Sequence, residues 1–196
     1  MFICIILFSA ILEDILDYEI NNFDVASYNM VSKIISDKIT PIAKVITRFG
    51  NAETLIFITI VLVIYIKDKK VRIAIPVNLF CASILNFTLK NIVQRPRPNE
   101  FRIIDQSGYS FPSGHSMVSM AFYGFLVYLI FKNVKNKYIK ILLIFILASI
   151  IFMIGLSRIY LGVHYTSDVL GGFLLALSYL TLYTMLFKTI YNKNLQ

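Results

Sequence analysis

Apolar residues fall in long runs along this chain, separated by short polar links. The longer runs cover residues 52–66, 73–93, 117–131, 139–156 and 169–187. A helix needs roughly 20 mostly apolar residues to cross a bilayer core, so the pattern predicts an all-α integral membrane bundle. Residues 1–12 form a shorter run without a basic leader. They read as a short or truncated first membrane helix rather than a cleaved signal peptide. Residues 13–51 are different in kind. Ile35, Ile39, Ile42, Val45, Ile46 and Phe49 recur at helical spacing, with Lys33, Asp37, Lys44 and Arg48 on the opposite face. This predicts amphipathic helices along the membrane surface, or a cap packed on the spans. Thr40 and Pro41 are expected to start the second of these helices as N-cap and first residue, and Gly50 to stop it.

Composition agrees with the pattern. The 196 residues are 58% hydrophobic and 15% charged, with a mean hydropathy of +0.73, well outside the soluble range. One membrane domain over residues 1–196 is the economical reading, with 13–51 as an outer-face amphipathic segment and 52–187 as the catalytic bundle. The net charge of +8 does not imply a nucleic-acid partner, because the cations cluster between apolar runs. Lys67, Lys69, Lys70 and Arg72 form one such link, Lys132, Lys135, Lys137 and Lys140 another, and Lys188 and Lys193 lie in the tail. These segments alternate along the chain and so share one side, the cytoplasm by the positive-inside rule. The 13–51, 90–111 and 157–168 segments then face outward from the cytoplasmic membrane. Cys4 and Cys81 sit inside apolar segments and read as small core residues, without disulfide or metal spacing.

Three polar segments on that outer side carry candidate chemistry. Lys90 ends a span whose Ser83, Asn86 and Lys90 form a polar stripe, and Pro96 and Pro98 stiffen the backbone around Arg97. Lys90, Arg95, Arg97 and Arg102 could simply snorkel to lipid headgroups, but the topology rule disfavours cations on this side. Next, Phe111-Pro112-Ser113-Gly114-His115 precedes a span. Ser113 is a natural N-cap, Gly114 permits close backbone approach, and a helix start binds anions. Last, Ser157-Arg158 is followed by His164 and Asp168, one helical turn apart. Arg158 can fork onto phosphate oxygens, and a neutral His164 can attack phosphorus if its other ring nitrogen donates to Asp168. Taken singly, each segment also has a structural explanation: headgroup cations, a capped helix start, or a buried ion pair beside a histidine. Together they compose a phosphate site. Lys90, Arg97 and Arg158 neutralise a dianion, helped by the backbone at Ser113–Gly114. His164 attacks, Asp168 fixes its tautomer, and His115 protonates the leaving oxygen and then activates water.

These residues make the chain resemble the type 2 phosphatidic acid phosphatase superfamily. The three-part signature appears as Lys90…Arg97-Pro98, Pro112-Ser113-Gly114-His115 and Ser157-Arg158…His164…Asp168, in order and at unbroken spacing. The resemblance covers roughly residues 50–187, and the N-terminal segment adds little to it. It implies a bundle of about six spans and metal-independent, cofactor-free removal of phosphate from lipid phosphates or diphosphates. It also implies Lys90, Arg97, Ser113, Gly114, His115, Arg158, His164 and Asp168 as active residues. The small size looks like the bacterial branch acting on phosphatidylglycerophosphate or undecaprenyl diphosphate. Two other readings use the same cations. Haloperoxidases of this superfamily hold vanadate there, but resemble larger soluble proteins. A non-catalytic lipid-headgroup binder or translocator would need Lys and Arg but neither histidine.

Overall fold

The computed structural model describes residues 1–99 and 102–192, and all regular structure among them is helical. Eight helices follow in order: α1 Phe2–Leu16, α2 Asn21–Ser32, α3 Ile39–Arg48, α4 Ala52–Tyr65, α5 Lys69–Val93, α6 Gly114–Asn133, α7 Lys137–Tyr160 and α8 Thr166–Asn192. Lys193, counted with the tail cations, lies outside the described residues.

Helices α5 to α8 are each long and apolar enough to cross a membrane. Side-chain caps define their starts: Asp68 accepts from the amides of Lys70 and Val71 at α5, Ser113 from Ser116 at α6, and Asn136 from Tyr138 and Ile139 at α7. Helix α6 is the pillar, packed by α5, α7 and α8, and 39% of its most apolar stretch is buried. Its Phe122, Phe125 and Leu129 join Leu55, Ile75, Ile151 and Ile154 in the main core. Polar ties hold α5 in place. Asn78 Nδ2 donates to the Ala121 carbonyl at 2.9 Å, and Tyr183 Oη of α8 donates to the Ala74 carbonyl at 2.6 Å. The outward faces stay apolar, with Ile141, Leu142, Phe145 and Phe152 of α7 exposed, as a lipid-facing surface requires.

The structure departs from the sequence reading at three points. Helix α4 has only 14 residues. It reaches the length of a span only together with α3, from which it is bent by 49°. Helix α3 is amphipathic, as a helix along the membrane surface requires: Ile39, Ile42, Val45 and Phe49 point away from the bundle, while Ile46 packs on the main core. The side facing α7 is Ala43 and Thr47, both buried. Helix α3 begins, however, at Ile39 rather than Pro41, with Lys38 at the cap. Pro41 therefore lies in the first turn, where its missing N–H costs nothing. Finally, Cys81 is exposed on the outer face of α5 rather than in the core. An apolar run does not distinguish the bundle side of a helix from the lipid side.

Helix α3 does stop next to Gly50, for a reason of space. A Cβ on Gly50 would lie 2.9 Å from Cγ2 of Ile154, and 3.0 Å from both Cδ2 of His115 and Oγ of Ser119. Only glycine lets the α3–α4 bend seat itself against α6 and α7. Gly50→Val is expected to destabilise the protein by about 1–3 kcal/mol through overpacking, read as a lower thermal midpoint in detergent.

Candidate active site

The polar residues singled out from the sequence meet at one end of the bundle. Chain direction explains this: α5 and α7 end there, and α6 and α8 begin there. The stretch 157–168 is tighter than a loop. Ser157 to Tyr160 complete α7, Thr166 to Asp168 open α8, and only residues 161–165 connect them.

Asp168 organises the centre. Its carboxylate reaches back to the amide of Tyr165 at 2.9 Å, in the manner of a capping box at the start of α8. The same oxygen, Oδ2, accepts from the Ser110 hydroxyl and lies 3.3 Å from His164 Nδ1. The other oxygen, Oδ1, takes the Arg95 guanidinium at 2.7 Å. Arg97 Nη1 donates to His164 Nε2 at 2.9 Å and to the Val163 carbonyl at 2.8 Å, while its Nε donates to the Gly108 carbonyl at 2.9 Å. A guanidinium can only donate, so Nε2 of His164 bears the lone pair and Nδ1 the proton. Burial pushes the His164 imidazolium down to about 3, and Arg97 and Arg158 reinforce that against the opposing pull of Asp168. Desolvation also lowers Arg97, to about 10, which leaves it charged.

Arg158 is 1% exposed. Its Nη1 donates to Thr47 Oγ1 of α3 at 2.7 Å and its Nη2 to Gln106 Oε1 at 3.0 Å. Its Nε is a buried donor with no acceptor among the described residues. Lys90 Nζ points to the carbonyls of Tyr109 and Ser110, at 2.6 and 3.2 Å. His115 Nε2 lies 2.9 Å from Asn51 Oδ1 at the start of α4. It sits within electrostatic reach of Arg158, His164, Arg97 and Lys90. Ser113 caps α6 as expected, but its amide is already committed to the Asp168 carbonyl at 3.0 Å. The amides of Gly114 and His115, at the first two helical positions, are the ones helix geometry leaves without an internal acceptor. Gly114 is also required by packing, since a Cβ there would lie 2.9 Å from Asn86 Oδ1. Of the four loop-side cations, Arg95 and Arg97 are buried and Arg102 faces outward, paired with Asn99.

Several residues of this end were not singled out from the sequence: Asp24, Thr47, Asn51, Gln106 and Ser110. The sequence marks Arg95 as a cation on the disfavoured side of the membrane but gives it no role in the site. Asp24 carried no signal, because an acidic residue in an amphipathic segment looks like an ordinary solvated charge.

An apolar groove of about 620 Å³ runs along the site, between α4 and α5. Leu55, Ile56, Ile60, Leu79 and Phe80 line it, and it ends at Ser83, Asn86, Gly114 and His115. A larger cavity, about 800 Å³, lies at the other end of the bundle among Leu129, Leu147, Phe187, Lys67, Lys132 and Lys188, and holds no histidine. Among the described residues, no group of three or more His, Cys, Asp or Glu side chains converges as a metal site would need.

Known proteins resemble this chain in sequence and in fold. Phosphatidylglycerophosphatase B of Bacillus subtilis is 41% identical over 97 residues, which make up 48% of this chain and 47% of that protein. The undecaprenyl-diphosphatase of Sulfolobus acidocaldarius is 24% identical over 169 residues, 83% of this chain and 75% of the relative. Among solved structures, the transmembrane PAP2-type phosphatidylglycerolphosphate phosphatase of Bacillus subtilis superposes with a TM-score of 0.88 at 26% identity, covering 95% of each chain. LpxE of Aquifex aeolicus shares the fold at a TM-score of 0.67 and 21% identity, over 82% of this chain and 94% of that one. The sequence model of the PAP2 superfamily matches residues 71–191, which takes in all three motifs of the site, and this membrane bundle accordingly belongs to the PAP2 superfamily.

Proposed function

We propose that the protein is a lipid phosphate phosphatase that works without a metal through a phosphohistidine, with phosphatidylglycerophosphate or undecaprenyl diphosphate as substrate. One observation carries the reading: the Arg97–His164–Asp168 alignment, with the His164 lone pair at Nε2 and its proton turned to a carboxylate. Lys90, Arg95, Arg97 and Arg158 face Asp24 and Asp168 at this end. Four cations against two carboxylates leave an excess of two positive charges, the complement of a phosphate dianion.

In the proposed reaction the phosphoryl group lies among Lys90, Arg97 and Arg158, satisfying the unpartnered Nε of Arg158, with the amides of Gly114 and His115 on the same anion. Nε2 of His164 forms the P–N bond as the P–O bond to the lipid breaks. Asp168 stabilises the imidazolium, and His115 gives a proton to the leaving oxygen. Water then attacks phosphorus with His115 as base, the P–N bond breaks and inorganic phosphate leaves. Positioning and charge do most of the work in such a transfer.

The lipid part of the reading rests on the groove. Its walls are apolar, it borders His115 directly, and its lining includes the exposed Ile56, Ile60 and Phe80 of α4 and α5, as a substrate tail would require. The larger cavity offers no nucleophile. The active site is proposed to face away from the cytoplasm, because Lys67, Lys132 and Lys188 gather at the opposite end of the bundle. The Bacillus matches favour phosphatidylglycerophosphate, while the Sulfolobus relative keeps undecaprenyl diphosphate as the second candidate.

His164→Ala is expected to abolish phosphate release from both lipids in detergent while the protein stays folded; unchanged turnover would refute the mechanism. Acid-labile and base-stable labelling from a ³²P-lipid is expected in the wild type and absent from that variant. Wild-type turnover should persist in excess chelator, since no carboxylate or histidine cluster is assigned to a metal. Ile60→Trp, which fills the groove away from the polar end, is expected to raise KM for the long-chain lipid on the order of tenfold. A short soluble phosphate ester should be hydrolysed by that variant as by the wild type.

A further inference from the structure

Arg95, Ser167 and Asp24 take no step in the proposed chemistry, yet they are buried beside it. Arg95 Nη1 donates to Asp168 Oδ1 and to Ser167 Oγ, both at 2.7 Å, and Nη2 donates to Asp24 Oδ2 at 2.8 Å. Its guanidinium also lies 4.2 Å from the centre of the Tyr165 ring. Both terminal nitrogens of Arg95 are thus committed to carboxylates and a hydroxyl, whereas Arg158 keeps a buried Nε without an acceptor among the described residues. Asp24, in the first turn of α2, is 2% exposed. Besides Arg95 it accepts from the amide of Ser167 at 2.9 Å and from the Ser167 hydroxyl at 2.6 Å. One carboxylate from α2 thus binds the first turn of α8 and the cation that grips Asp168.

On the phosphatase reading above, we propose that Asp24 is a positioning residue. Through Arg95 and Ser167 it fixes the Asp168 carboxylate so that His164 keeps its proton on Nδ1 and its lone pair on Nε2. Two physical effects support this. Asp24 neutralises Arg95, so Asp168 does not have to satisfy that cation alone and retains its negative charge for the imidazolium that forms on attack. The Asp24–Ser167 bonds also hold the start of α8, from which Asp168 projects. Carboxylates that orient a histidine act by both routes; around metal-bound histidines, loss of such outer partners costs roughly 10–100-fold, and a loss of that order is expected here.

The test uses the full-length protein in detergent, with ³²P-lipid phosphate and a short soluble phosphate ester as substrates. Asp24→Asn is expected to lower kcat at least about tenfold, counted per folded molecule, with KM within about threefold for both substrates. Because Asp24 acts through Arg95, Asp24→Asn with Arg95→Gln should be no slower than Arg95→Gln alone; losses that multiply would overturn the proposal. Ser167→Ala, which removes a bridge without stranding a charge, is expected to lower kcat in the same direction and serves if Asp24→Asn does not fold. Normal kcat in folded Asp24→Asn and Ser167→Ala, or a change confined to KM, would also overturn it. A second readout does not depend on turnover. The chain has two histidines, so ¹⁵N-histidine spectra report His164 and His115 separately. The Nδ1–H signal of His164 should shift or broaden in Asp24→Asn while His115 is unmoved, and an unaltered His164 signal would refute the positioning role. A wild type that releases no phosphate would sink the phosphatase reading, with this spectral result still deciding the role of Asp24.

Discussion

Everything at the working end of this bundle depends on keeping one carboxylate charged in an apolar surrounding. Asp168 is fully buried, and taking an ion from water costs several kcal/mol even after the protein relaxes. The protein compensates with donors from several parts of the chain: Arg95 and Ser110 from the long loop, Tyr165 from the start of α8, and His164 from the preceding turn. Their convergence explains the architecture. The loop between α5 and α6 must fold inward, α7 and α8 must be joined by a short turn, and α2 must dock where it does to bring Asp24 to Arg95. Removing one partner of such a buried pair generally costs about 3–5 kcal/mol, so fold and site share the same interactions.

The same logic separates the arginines. Arg95 is held above its ordinary range because two carboxylates outweigh the penalty of burial. Among the described residues, Arg97 and Arg158 have no carboxylate partner of their own and spend their donors on carbonyl, imidazole, hydroxyl and amide groups. Such neutral partners are easily exchanged for an anion; a carboxylate is not. Residues of one type, a few positions apart, are thereby divided between holding the protein and receiving a ligand.

Much of the bundle was legible because apolar runs of membrane length are bounded by caps and charges. The run at 73–93 became Lys69–Val93 and that at 117–131 became Gly114–Asn133, each lengthened only into its flanking polar residues. The motif residues were legible too, because an arginine or histidine at the edge of a span is expensive and invites a reason. Residues 13–51 resisted reading. Their polar side chains are cheap in water, so composition does not distinguish Asp24, which is buried, from Lys44 and Arg48, which are not. The orientation of α3 agrees with a helix lying along the membrane surface. In a soluble protein its isoleucine stripe would face the core, but beside a membrane the lipid can take the apolar side and leave Ala43 and Thr47 for the protein. Thr47 and Asn51 then reach Arg158 and His115 from a segment that seemed peripheral.

The groove between α4 and α5 has a consequence for traffic through the site. On the proposed reading, what enters arrives by diffusion in two dimensions, and its effective concentration is a mole fraction of the leaflet rather than a molarity. The dephosphorylated lipid returns by the same route into the same leaflet, while inorganic phosphate departs toward water past Arg97 and Lys90. Product removal is thus divided between two phases. A rise in soluble phosphate would slow the enzyme from one direction, and crowding of the leaflet by the lipid product would slow it from the other.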